Sequence, residues 1–213
     1  MRIDAAPTPL KIAIGGFSSE VGKTTLLCEL LRALPGWEAI KLTRGHYRSC
    51  GKDPHACCVS HLLSDEPVIW SGREKTYAPG KDTGRYWDAG ASNVHWVIVT
   101  DQQVEKGVNR ALERVRAPGV LIEGNSFLKF VEVDFTIIAA RAEGGKIKPT
   151  ARRALEHAQA LYLFDEGDDR AARERFAAWC DDPTRRAMIG DLPVYTRAGL
   201  AELIDRVREE CRL

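Results

Sequence analysis

The sequence predicts an α/β domain with a mainly parallel central sheet and helices on both faces. Short apolar runs of four to six residues alternate with amphipathic segments along the chain, and no repeat or low-complexity stretch interrupts them. A Gly-rich turn, Gly15-Gly16-Phe17-Ser18-Ser19-Glu20-Val21-Gly22-Lys23-Thr24-Thr25, joins the first apolar run, Ile12-Ala13-Ile14, to the first amphipathic one. That strand–turn–helix context is what a phosphate-binding loop requires, because backbone N–H groups of the turn and of the first helical residues converge on an anion.

Taken in order, residues 1–10 read as a flexible lead-in and 11–213 as one domain. Residues 11–16 form the first strand, and 24–34 the first helix, stopped by Pro35-Gly36. Residues 37–43 form the second strand. A long polar segment, 44–82, follows without a regular pattern, and connections of that length tend to be functional. Asp82 leads a short helix through Ala89-Gly90-Ala91. Residues 94–100 form a strand, 103–116 a helix, and Val120-Leu121-Ile122 a buried strand ending at Glu123-Gly124. Strand 135–140, helix 148–158, strand 161–164, helix 169–179, a short strand near Val194 and helix 197–211 complete the chain. In such sheets ligands collect beyond the carboxyl ends of the strands. Glu123, Lys41 and the Gly-rich turn all follow strands, so one site is implied.

Composition narrows the function. Thirty-one basic residues against thirty acidic ones leave a formal charge of +1 with no basic stripe, which argues against nucleic acid as a partner. The first ten residues lack the apolar core of a signal peptide and no run reaches membrane-spanning length, so a cytoplasmic protein with no membrane association is expected. In that compartment the six cysteines are thiols, metal ligands or redox groups rather than structural disulfides. Cys28, Cys180 and Cys211 fall on helices and read as packing groups, as do the aromatic residues Tyr86, Trp87, Trp96, Tyr162 and Trp179.

The expected nucleotide-binding residues are Gly16, Ser18, Ser19, Glu20, Val21, Gly22, Lys23, Thr24 and Thr25. Lys23 would reach the terminal phosphates and the Thr24 hydroxyl would ligate Mg²⁺. Gly16 and Gly22 enclose five residues, where the common loop has four. In this the chain resembles the dethiobiotin synthetase-like branch of P-loop proteins, whose loops also run Gly, five residues ending in Val, then Gly-Lys-Thr. Glu123, after a fully apolar strand, is placed to hold Mg²⁺ directly or through water opposite Thr24. The Glu-Gly at this strand end and the Lys that closes the second strand, Lys41 here, are shared with that group. The resemblance implies an active-site role for both.

The stretch Pro79-Gly80-Lys81-Asp82-Thr83-Gly84-Arg85-Tyr86-Trp87-Asp88-Ala89-Gly90-Ala91 resembles a segment of the molybdopterin-guanine-dinucleotide adapter proteins, small P-loop NTPases of molybdenum cofactor maturation. It implies Asp82 as a second Mg²⁺ or water-positioning carboxylate, so Lys23, Lys41, Asp82 and Glu123 form the expected catalytic set. Two features depart from that family. Its His-rich turn is replaced by Lys41-Leu42-Thr43-Arg44-Gly45-His46, and no guanine-reading Asn-Lys-x-Asp follows strand 161–164, which runs into Asp165-Glu166-Gly167-Asp168-Asp169. ATP and GTP both stay open as the nucleotide.

Within the polar segment, Cys50, Cys57 and Cys58 are interspersed with His46, His55 and His61. Three Cys and three His in sixteen residues suggest a Zn²⁺ site built from Cys50, Cys57, Cys58 and His61, without the C-x-x-C spacing of common zinc motifs. Two functional readings follow. One is a slow NTPase adapter in molybdenum cofactor maturation, with Arg44 or Arg85 as a candidate for the missing arginine finger; metal delivery by the 44–82 loop is its variant. The other is a dethiobiotin synthetase-like ATP-dependent ligase, whose Gly-rich continuation after Glu-Gly is here Asn125-Ser126-Phe127. Expected partners are the nucleotide, a cofactor-biosynthesis protein and a second copy of the chain in a homodimer.

Overall fold

The computed structural model describes residues 8–46, 59–165 and 167–213. Eight strands form one sheet in the order β3-β4-β2-β5-β1-β6-β7-β8. They span Leu10–Gly16 (β1), Glu38–Arg44 (β2), Val68–Ser71 (β3), Val94–Val99 (β4), Gly119–Glu123 (β5), Phe135–Ala140 (β6), Ala160–Leu163 (β7) and Val194–Tyr195 (β8). Every pairing is parallel except that of β3 with β4, which is antiparallel. The helices are Lys23–Ala33 (α1), Arg73–Thr76 (α2), Asp82–Asp88 (α3), Val104–Leu112 (α4), Pro149–Leu155 (α5), Asp169–Trp179 (α6), Pro183–Ile189 (α7) and Leu200–Glu210 (α8).

Apolar side chains on both faces of the sheet explain the unbroken apolar runs. Ala13, Ile122 and Ile138 join a cluster with α4, α5, α6 and α7, whereas Ile12, Ile14 and Leu121 join another with α1, α3 and α8. β5 and β6 are buried at every position. At about 25 cal/mol per Å² of apolar surface, these two layers supply the main driving force for the fold.

The structure departs from the sequence reading in two places. The polar segment holds a 3-10 turn at Ser60–Leu62, the edge strand β3 and helix α2. β3 has only three apolar residues, Val68-Ile69-Trp70, between Pro67 and Gly72, too short a run to register as a pattern. Its place comes from β4: Trp70 pairs with Trp96 and the rings meet edge-on at 5.2 Å. Helix α7 also went unread, although Asp182 caps it through Arg185 N–H and Pro183 opens it.

A buried polar chain ties the amino ends of β2 and β4 to the carboxyl end of the antiparallel β3. Glu38 accepts from the Arg116 and Ala117 N–H groups at 2.9 and 3.0 Å. Its other oxygen lies 2.6 Å from His95 Nε2, and His95 Nδ1 lies 2.8 Å from Ser71 Oγ. Tyr86 and Tyr162 are buried as expected, while Trp87, Trp96 and Trp179 are half-buried. Among the described residues, no helix is long and apolar enough to cross a membrane.

Candidate functional site

The loop between β1 and α1 turns at Gly22, which caps α1 with φ +84°. A Cβ there would stand 2.2 Å from the Phe164 ring, so both backbone and space demand glycine. Glu20 also has a positive φ, +57°. Three residues outside the loop hold it open. Asn125 accepts from Gly16 N–H and donates to Gly16 C=O, both at 2.8 Å. Lys148 Nζ donates to Ser19 Oγ at 2.9 Å, and Arg141 Nε to the Glu20 carbonyl at 3.1 Å. Arg141 also packs its guanidinium 4.8 Å from the centre of the Phe164 ring.

Lys23 curls back over the loop, donating from Nζ to the Ser18 carbonyl at 2.7 Å. Burial lowers its pKa, and Lys41 and Lys148 push the same way against the raising pull of Glu123 and Asp82. An ammonium held half-desolvated among other cations would gain strongly from an incoming polyphosphate.

Beside the loop, sheet register builds a charged cluster. Lys41 on β2 lies opposite Glu123 on β5, and Glu123 lies opposite Ile14 on β1. In-register residues of neighbouring strands face the same way, here toward the α1 and α3 side that receives Ile14. Lys41 Nζ stands 2.5 Å from Glu123 Oε1 and 2.5 Å from Asp82 Oδ2 at the start of α3. Glu123 Oε2 accepts from Thr24 Oγ1 at 2.9 Å and from the Tyr86 hydroxyl. Burial opposes the charge on Lys41, yet the Glu123 and Asp82 carboxylates outweigh it and raise its pKa. Burial likewise opposes the charge on Asp82, and Lys41 with Thr24 and Arg85 overcomes it, lowering that pKa.

Lys23, Thr24, Lys41, Asp82 and Glu123 thus line one cavity of about 490 Å³, together with Arg85 and Phe164. Arg85 is held by a 3.0 Å hydrogen bond from Nη2 to Thr25 Oγ1. Ser19, Glu20, Gly22 and Thr25 also border the cavity, whereas Val21 is 2% exposed and packs inward. The donor set is all hard oxygen, one hydroxyl and two carboxylates, with Lys41 taking one oxygen of each carboxylate. Those oxygens fit Mg²⁺. A larger cleft of about 1140 Å³ lies elsewhere, lined by residues such as Arg44, Asp101, Asn125 and Arg153. None of the expected catalytic residues borders it.

Other expected residues fall elsewhere. Cys50, His55, Cys57 and Cys58 lie outside the described residues; His61 sits exposed in the 3-10 turn. Among the described residues no group of three or more His, Cys, Asp and Glu could hold a metal ion. Asp165 has both oxygens engaged, by Gly167 N–H at 2.8 Å and Arg175 Nη2 at 2.5 Å. Tyr86, expected only as core, donates directly to Glu123. Its spacing four residues after Asp82 placed both on one helical face, which was the available signal. Arg141 and Phe164 carried no motif that would have singled them out, and Asn125 and Lys148 lay in stretches whose sequence did not reveal their contacts with the loop.

No protein-family model matches the chain, and no curated protein does. Among solved structures it is similar to LpxK from Aquifex aeolicus in complex with ATP, at 20% identity and a TM-score of 0.47, over 79% of this chain and 54% of that one. The chain therefore spans about half the length of LpxK. It is also similar to HypB from Helicobacter pylori in complex with nickel, at 12% identity and a TM-score of 0.51, over 96% of this chain and 88% of that one. With β1, the Gly-rich turn and α1 in the expected geometry, the likeness establishes the fold: this is an α/β domain of the P-loop NTPase type.

Proposed function

We propose that the protein binds a nucleoside triphosphate with Mg²⁺ and hydrolyses it slowly, as an adapter in the maturation of molybdopterin guanine dinucleotide. The observation that carries the nucleotide reading is the convergence of Lys23, Thr24, Lys41, Asp82 and Glu123 on one cavity beyond the carboxyl ends of β1, β2 and β5. The adapter role rests on the resemblance of residues 79–91 and on the Glu123-Gly124 strand end.

In this reading the Gly16–Thr25 loop wraps the phosphates and Lys23 exchanges the Ser18 carbonyl for phosphate oxygens. Thr24, Asp82 and Glu123 would hold Mg²⁺, which when bound neutralises charge building on the transferred phosphoryl group. Lys41 holds the two carboxylates close together before nucleotide arrives. Of the two arginines weighed for a finger role, Arg85 borders the phosphate cavity, whereas Arg44 is paired with Asp101 at 2.8 Å and borders the larger cleft. Arg85 is therefore the cation we assign to the phosphates. Asp165 already accepts from Gly167 N–H and Arg175, and ATP and GTP both stay open as the nucleotide.

A ligase reading has less support at residues 125–127, where Asn125 is hydrogen-bonded to Gly16 and Phe127 is fully buried. Metal delivery, with Cys50, Cys57, Cys58 and His61 as the cargo site, is the variant that the nickel-bound HypB structure brings to mind by fold.

Calorimetry on Lys23→Ala tests the nucleotide reading. Affinity for ATP and GTP should fall about tenfold or more, the ~1.5–3 kcal/mol of a charge-assisted contact. Unchanged affinity for both would end it.

A further inference from the structure

We infer that Tyr86 is a positioning residue for phosphoryl chemistry: it fixes the Glu123 carboxylate, and through it the Thr24 hydroxyl. The inference rests on the nucleotide reading above and adds to it a residue and a role.

Glu123 is 3% exposed and its carboxylate meets three donors, Lys41 at Oε1 and both Thr24 and Tyr86 at Oε2. Thr24 and Lys41 both lie where ligands arrive, and both are expected to turn toward phosphate or cation when nucleotide binds. Tyr86 is different. It is 0% exposed and does not border the phosphate cavity. Of these three donors, its hydroxyl is therefore the one that nucleotide cannot claim. While the other two contacts exchange, the phenol keeps Oε2 aimed and offsets the desolvation of a buried carboxylate.

The scaffold behind Tyr86 is built for fixed geometry. α3 approaches so closely that a Cβ on Gly84 would come within 2.0 Å of the Ala78 carbonyl. Trp87, next in sequence, donates to Thr76 Oγ1 of α2 at 2.9 Å. Cys28 of α1 donates from its thiol to the Arg85 carbonyl at 3.5 Å. Asp82, Arg85 and Tyr86 thus leave one seven-residue helix clamped to α1 and α2 and reach Lys41, Thr25 and Glu123 respectively. Side chains on such anchored elements hold a reacting geometry that loops do not.

The test is steady-state hydrolysis of ATP and GTP by wild type, Tyr86→Phe and Lys23→Ala, with Mg²⁺ titrated. Phenylalanine keeps the ring in the core and removes only the hydroxyl. The expected result is a kcat lower by about tenfold to a hundredfold, a KM for nucleotide within twofold of wild type, and a higher half-saturating Mg²⁺ concentration. A kcat for Tyr86→Phe within twofold of wild type would overturn the inference and leave the nucleotide reading standing. So would kcat and KM changing together in step with a lower melting temperature, which marks a merely structural tyrosine. Wild type that neither binds nor hydrolyses nucleotide, and is indistinguishable from Lys23→Ala, would instead remove the reading itself.

Discussion

Replacing Lys41 by Met should destabilise the fold through the two carboxylates it leaves behind. The Lys41 side chain is 17% exposed, Glu123 4% and Asp82 42%, so the two legs of the cluster differ in weight. Removing one partner of a buried pair costs roughly 3–5 kcal/mol, because the surviving charge is left desolvated. The Asp82 leg, open to solvent, adds no more than about 1 kcal/mol. Thr24 and Tyr86 still donate to Glu123, which places the expected loss near 3 kcal/mol at pH 8, about 6–12 °C in melting temperature for a chain of this size. The pH dependence has a definite sign. The Lys41 pKa is raised, so its contribution is complete below the unfolded value of about 10.4 and is lost only as pH climbs through the higher folded one. The Asp82 pKa is lowered, so its share is present above about 3.9 and is lost as pH falls through the folded value. The gap between wild type and Lys41→Met should therefore be flat from about pH 6 to 9 and narrow below about pH 4 as Asp82 protonates. Millimolar Mg²⁺ should recover part of the loss in the variant, by occupying the site between the carboxylates. Differential scanning calorimetry across pH, with and without Mg²⁺, measures all three. A loss below about 1 kcal/mol, or one that widens toward acid, would refute the reasoning.

Glu38→Ala should strip the acceptor from the Arg116 and Ala117 N–H groups and from His95, at a cost of about 3–5 kcal/mol in chemical denaturation. Burial opposes the Glu38 charge but is overcome by the His95 and Arg116 hydrogen bonds, so its pKa is lowered. That stability is present above about pH 4.3 and lost as pH falls through the folded value, and circular dichroism should show the two proteins converging in acid. For the proposed Zn²⁺ site, elemental analysis of chelator-free protein should find about one zinc per chain, lost in Cys57→Ser/Cys58→Ser. Protein that stays metal-free on titration would remove the metal-delivery variant.

Much of the fold was legible from residues alone, because the signals that specify it are local. The strand–turn–helix at 10–33 needs only glycines at the turn and an apolar run on each side. The buried strands β5 and β6 announce themselves because both faces are covered, and their apolar runs are therefore unbroken. Lys23 and Thr24 could be named from the Gly-rich loop and Glu123 from its strand end, whereas the expected roles of Lys41 and Asp82 drew on family resemblance. β3 could not be named, since an edge strand of four residues takes its place from the partner it pairs with, here Trp96 on β4. Nor could the site's supports. Asn125 reaches Gly16 across 109 residues and Lys148 reaches Ser19 across 129, distances over which a sequence carries no local periodicity. Tyr86 shows the division within one residue. Its burial followed from an aromatic ring on a short amphipathic helix, but the direction of its hydroxyl depended on β5 lying beside β1, which brings Glu123 within reach. Local pattern decides which face a side chain turns inward; only the assembled sheet decides what it meets there.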